Sequence, residues 1–321
     1  MVGPVTTRSA RVSQRSGFTM VEMLVVITII AIVASLVLAA LNSARQTAKV
    51  AKTKSTIVKL NDLIMDQYES YRTRRVPIST SGMNPNSASA ARLNAIRDIM
   101  RMEMPDRWND VINAPLCTDG SGNPLLTRPA LSQRYLNRYN KTHPPNPTTE
   151  NASAECLYMT VTTRNPEARE LFSESEVGDT DQDGYPEFLD GWGRPIAFIR
   201  WPAGFISSLH ADDELQTGDP VADHDPFDPL KQDDDAFRLI PLIFSYGPDG
   251  KSDINRGASS SGGEFAYTAT GDSITSVTLH TTDPDGDGHY IGQPLDGETY
   301  LPEPSELDHY DNIHNHRIEG R

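Results

Sequence analysis

The run FTMVEMLVVITIIAIVASLVLAAL, residues 18–41, constrains this chain more than any other stretch, and Glu22 is its one ionisable side chain. Its 24 residues rise about 36 Å as a helix at ~1.5 Å per residue, enough to cross the ~30 Å hydrocarbon layer of a bilayer with some tilt. A cleaved secretory signal has a shorter apolar core, about 7–15 residues, ahead of a small-residue site. Here the run is longer, and Ala39 and Ala40 make a poor site, so a spanning segment is expected. The helical pattern continues past the run. No Gly or Pro occurs between residues 41 and 71, and Val50, Ile57, Leu60, Ile64, Tyr68 and Tyr71 recur at helical spacing. Pro77 and the Ser/Gly/Asn/Pro-rich residues 79–87 end the helix.

Charge separates this front end from the rest. The formal charge is −15; residues 1–17 hold Arg8, Arg11 and Arg15 without an acid, so the remainder carries −18. Nucleic acid rewards Lys and Arg, so it is not an expected partner. A cation-holding or simply solvated acidic body fits better. A positive-inside count does not orient the span, because Arg45, Lys49, Lys52, Lys54 and Lys59 follow it. Cys117 and Cys156 form a candidate disulfide pair in an oxidising compartment and are ordinary buried thiols in a reducing one.

A carboxylate inside hydrocarbon is costly unless it has a partner. Gly17, Phe18, Thr19 and Glu22, behind a short basic leader and ahead of a spanning helix that becomes amphipathic, resemble the start of type IV pilin-like proteins, which include the pilins and the pseudopilins of type II secretion. The resemblance implies that a prepilin peptidase/N-methyltransferase cuts after Gly17 and methylates Phe18. It implies that Glu22 meets the N-terminal amine of a neighbouring subunit during assembly. Ser16 departs from the basic residue common before the Gly, and the span lacks the midway Pro of many pilins.

The family also implies an α+β fold, a long helix packed on a small antiparallel sheet. The expected organisation is a leader over 1–17, a transmembrane helix over 18–41 and its periplasmic continuation over 42–76. An irregular insertion over 77–150, a β-rich globular region over 151–308 and a polar tail over 309–321 complete it. In the insertion, read as a variable surface region, residues 91–102 and 131–139 have helical spacing. Asn165 and Pro166 read as a helix cap for a helix to about residue 175. Residues 196–201, 239–246 and 274–280 read as strands.

Two further segments add to the resemblance. "DGWGRP", from Asp190, resembles a segment that precedes the first strand of major pseudopilins; "FSYGPDGKSD", with Asp249 and Asp253, resembles one in or near their calcium-binding loop. These favour a pseudopilin polymerising with other pseudopilins on an inner-membrane assembly platform. The alternatives are a type IV pilus subunit and a membrane-anchored calcium-binding protein that does not polymerise.

Calcium is expected on independent grounds. "DTDQDGYPEFLD" places Asp179, Asp181 and Asp183 at positions one, three and five of an EF-hand-like loop, with Gly184, the Tyr185 carbonyl at seven and Asp190 at twelve. "DPDGDGHY" repeats the spacing with Asp283, Asp285 and Asp287, but Pro294 stands at its twelfth position and only Asp296 is near enough to close it. No phosphate-binding loop, nucleophile elbow or zinc spacing occurs, so an enzyme is not expected. His309, His314 and His316 read as part of a solvated tail, and residues 233–235 as a solvated acidic face.

Overall fold

The computed structural model describes residues 18–114, 123–141, 147, 149, 151–205, 207, 209–210, 219–251, 254, 291–296, 299–300 and 312–317. Two compact units divide the chain, Met1–Thr47 and Ala48–Arg321.

Helix α1 is Met20–Ser70, 51 residues without Gly or Pro. It starts on a reciprocal cap: the Thr19 N–H and hydroxyl reach the Glu22 carboxylate at 2.8 and 2.9 Å, and the Glu22 N–H donates to the Thr19 hydroxyl at 3.2 Å. It ends in a 3-10 turn, Tyr71–Thr73, after which Arg74 is extended. The large apolar side chains from Phe18 to Leu41 are exposed, and the helix is long and apolar enough to cross a membrane. From Thr53 onward one face is buried: Thr53, Thr56, Ile57, Leu60, Ile64, Gln67 and Tyr68. The apolar stripe expected from spacing is therefore the face that packs.

Helix α2, Pro85–Glu103, begins earlier than expected because Asn84 caps it, accepting from the Ser87 N–H at 2.8 Å, with Pro85 in the first turn. It is not part of a surface region. Residues Leu93 to Glu103 are all buried, charged ones included, and the charges are paired. Arg97 bonds Asp225 and Asp233 at 2.9 Å each, so Asp233 belongs to the interior while Asp234 and Asp235 stay exposed. Arg101 and Arg200 converge on Asp110 at 3.1 and 3.0 Å. Removing one partner of such a pair leaves a buried charge uncompensated, which fixes how α2 seats.

Helices α3, Trp108–Ile112, and α4, Ala130–Lys141, follow. Helix α5, Ala152–Arg164, has no counterpart in the sequence reading. Nine of its residues are buried, so it lacks the polar face whose contrast makes a helix visible in sequence. The helix expected from Asn165 is instead a 3-10 segment, Pro166–Leu171, with the predicted cap: Asn165 accepts from the Glu167 N–H at 3.2 Å. A third 3-10 element, Glu174–Glu176, carries a capping box from Ser173.

Strands β1, Val177–Gly178, and β2, Glu187–Phe188, form an antiparallel hairpin. Strand β3, Ala197–Ile199, pairs antiparallel with β4, Leu242–Ser245. Two-residue strands β5, Leu295–Asp296, and β6, Thr299–Tyr300, pair with each other. Strand β7, Ile313–His314, pairs with β4 to complete a three-stranded sheet, β3-β4-β7. The expected strand at 274–280 lies outside the described residues. The third strand comes instead from the segment read as a solvated tail. There His316 is buried, its Nε2 3.2 Å from the Pro241 carbonyl, and His314 stacks edge-on against Phe205. The segment docks because its polar side chains find protein partners: Asn315 accepts from the Ile243 N–H and His316 reaches the Pro241 carbonyl. The fold is α+β, α1 and α5 contributing Leu60, Ile64 and Leu157 to the same core as Phe198, Ile243 and Phe244 of the sheet.

Candidate functional site

At the front end, Phe18 is exposed immediately ahead of α1, and Glu22 lies in its first turn, engaged with Thr19. Gly17 falls outside the described residues, as do Asp253, Asp283, Asp285, Asp287, Cys117 and His309. Cys156 is buried in α5.

The loop between β1 and β2 is the expected EF-hand-like segment, carried by a hairpin and not by a helix pair. Gln182 and Gly184 take positive φ, +61° and +96°, which tightens the loop. The Gly184 N–H donates to Asp179 at 3.0 Å and the Tyr185 N–H to Asp183 at 2.9 Å. The Tyr185 ring is buried against Trp108, centroids 4.6 Å apart, and its hydroxyl donates to the Tyr139 carbonyl at 3.1 Å. This anchors the loop to a second apolar cluster built from α3, α4 and α5.

Two carboxylates absent from the sequence reading join the aspartates. Glu155 of α5 groups with Asp181 and Asp183, and Glu187 of β2 groups with Asp179 and Asp181; in each group one oxygen per residue lies within 4.8 Å of the others. Glu187 stands at the ninth loop position, an EF-hand ligand position, so spacing could have found it. Glu155 is 24 residues before the loop begins, and nothing in sequence connects the two.

The electrostatics follow from burial. Desolvation, with Asp183, Asp181 and Glu187 nearby, pushes the Glu155 carboxyl up to about 9, although the Trp108 indole N–H donates to it. Desolvation likewise pushes Glu187 to about 7, partly offset by the Thr180 N–H at 3.1 Å, while Asp181 and Asp179 add to the rise.

Asp190 does not close this loop. Its Oδ1 accepts from the N–H groups of Trp192 and Arg194 at 2.8 and 2.9 Å, and its Oδ2 from the Ser245 hydroxyl at 2.7 Å. Where an EF-hand loop would enter a helix, the chain here enters β2, and Asp190 is committed to the turn beyond it. That turn joins the two segments noted in the sequence. Arg194 donates to the carbonyls of Gly247 and Pro248 at 2.6 and 3.4 Å, and its guanidinium occupies the space where a Cβ at Gly250, φ +77°, would lie. Asp249 serves a local turn, accepting from the Lys251 N–H at 2.9 Å.

Residues 12–38 match the prokaryotic N-terminal methylation motif. The chain thus carries the type IV pilin-like signature of a prepilin-peptidase substrate at its front end. Comparison with curated proteins and with solved structures gives no match.

Proposed function

We propose that the chain is a structural subunit, not an enzyme, of a type II secretion pseudopilus. It is stored in the bacterial inner membrane as a single-pass protein with its C-terminal body in the periplasm. The prepilin peptidase cuts after Gly17 and methylates Phe18. The mature chain then joins a filament, with further pseudopilins, on the inner-membrane assembly platform.

The observation that carries this reading is the methylation motif at the head of a helix whose apolar side chains, from Phe18 to Leu41, are exposed among the described residues. Such a surface belongs in lipid or against copies of itself. The tie between Asp190 and Ser245, and between Arg194 and Gly247, supports the pseudopilin over the pilus subunit, because it unites the two segments that resemble major pseudopilins.

Mass spectrometry of the mature N-terminus provides the test. An N-methylated Phe18 is the expected result, and an intact leader in cells that hold the peptidase overturns the reading. E22A should leave membrane insertion unchanged and abolish assembly. Deletion of the chain should stop secretion across the outer membrane; loss of surface pili with secretion intact would assign it to a pilus.

A further inference from the structure

We propose that Glu155, Asp181 and Asp183 hold a calcium ion that clamps helix α5 to the β1–β2 loop, with Asp179 and Glu187 as its adjoining carboxylates. The site is separate from the Asp249 turn and independent of the filament reading.

Three acidic side chains close together are not in themselves a site, since acidic turns are common. The distinguishing feature is Glu155. It is 1% exposed, it comes from a helix and not from the loop, and its Oε1 is buried without a hydrogen-bond partner among the described residues. Its other oxygen is held by the Trp108 indole, which orients the carboxylate. A buried carboxylate oxygen lacking any donor is strongly disfavoured unless something positive completes it. The neighbouring side chains carry the wrong sign to do so. Asp181 and Asp183 share its cluster, with Asp179 and Glu187 alongside.

Geometry and chemistry select the ion. Two oxygens sharing an ion at about 2.4 Å are separated by no more than about 4.8 Å, and the Glu155, Asp181 and Asp183 oxygens meet that limit. An all-oxygen, carboxylate-rich set without Cys or His suits a hard cation. The adaptable loop geometry favours calcium over magnesium, which demands a near-ideal octahedron and keeps its waters. The surrounding donors serve as an outer shell. Asn151 Nδ2 reaches Asp181 at 3.3 Å and Glu187 at 3.4 Å, and the Gly184 and Tyr185 N–H groups hold Asp179 and Asp183.

The consequence is mechanical. Helix α5 packs on β2 and β3, and the loop presses Tyr185 into the Trp108 cluster, so an ion shared by Glu155 and the loop locks one apolar cluster to the sheet.

The test uses the full-length mature chain in detergent, stripped with EDTA and titrated with calcium chloride. Wild type should bind one ion at this site with a calcium-dependent rise in Tm. Terbium should bind in its place and luminesce on excitation of Trp108 and Tyr185, with calcium displacing it. D183N and E155Q should each weaken calcium binding on the order of tenfold or more. E155Q should also raise Tm in EDTA while losing the calcium response, two opposite effects that simple misfolding would not produce. D249N should leave binding unchanged. Absence of binding at millimolar calcium overturns the proposal, as does binding that survives E155Q and D183N or disappears in D249N.

Discussion

Gly191 sits against the backbone of α1: a Cβ there would lie 2.4 Å from the Lys49 carbonyl oxygen, while its N–H donates to the Thr53 hydroxyl at 2.8 Å. Neither the helix backbone nor the Asp190 turn can give way cheaply, so G191A should cost about 1–3 kcal/mol in denaturant unfolding. The DGWG spelling was legible in sequence; its cause, a turn laid directly on the long helix, was not. Glu176 makes the second such attachment. Its carboxylate accepts from Thr56 at 2.6 Å, Lys59 at 3.2 Å and both the N–H and hydroxyl of Ser173 at 2.8 and 2.9 Å. Burial opposes ionisation, but these donors win and pull the carboxyl from 4.5 to about 2. A folded value below the unfolded one means the stabilisation is complete above about pH 4.5 and is lost as pH falls towards 2. E176Q should therefore cost about 1–3 kcal/mol at neutral pH and little at pH 2, as read from urea midpoints.

At the scale of elements, legibility followed contrast between faces. The buried half of α1 was readable because its stripe opposes a charged face, and α4 was readable for the same reason. Helix α5 was not, because it is buried nearly all round. Nor was the core position of α2, since Arg97 looks like surface until its partners, 128 and 136 residues away, are seen. Strand β7 is the sharpest case. Asn315, just after it, accepts from the Ile243 N–H at 2.8 Å and donates to Asn61 of α1 and to the Pro241 carbonyl at 2.9 Å each. Burial, together with the neighbouring Arg317, holds His314 down at about 4. Burial first, then the nearby His314 and His210, brings His316 to about 3, against backbone hydrogen bonds that favour the charged form. Both histidines are depressed relative to an ordinary 6.5, so the unfolded chain binds their protons first. Their stabilisation is present above pH 6.5 and drains away as pH falls towards about 4 for His314 and about 3 for His316, a window that opens above that of Glu176 and overlaps it. N315A should lower stability by about 1–3 kcal/mol by orphaning the Ile243 N–H. A flatter urea midpoint between pH 6.5 and 4 than this linkage requires would show that β7 is not docked through these rings.

For the molecule as a whole, the division of labour lies at residue 48. Every buried residue of α1 is at Thr53 or beyond, and the buried members of both apolar clusters begin at Ile57. Residues 18–47 hold Glu22 and Arg45 and are otherwise uncharged, so the body from residue 48 keeps the full −18. Like charges of that size oppose association of bodies in water, and salt screens them within about 10 Å at 0.1 M. In the proposed filament, the apolar front end would then supply the attraction between copies. A chain beginning at Ala48 should consequently fold, stay monomeric at low salt, and melt cooperatively, whereas the mature chain beginning at Phe18 should need detergent or lipid and should associate. Sedimentation velocity and circular dichroism on both chains decide it. An unfolded truncated chain would mean that the front end is needed for folding; a truncated chain that associates at low salt would place the subunit contact on the acidic body instead.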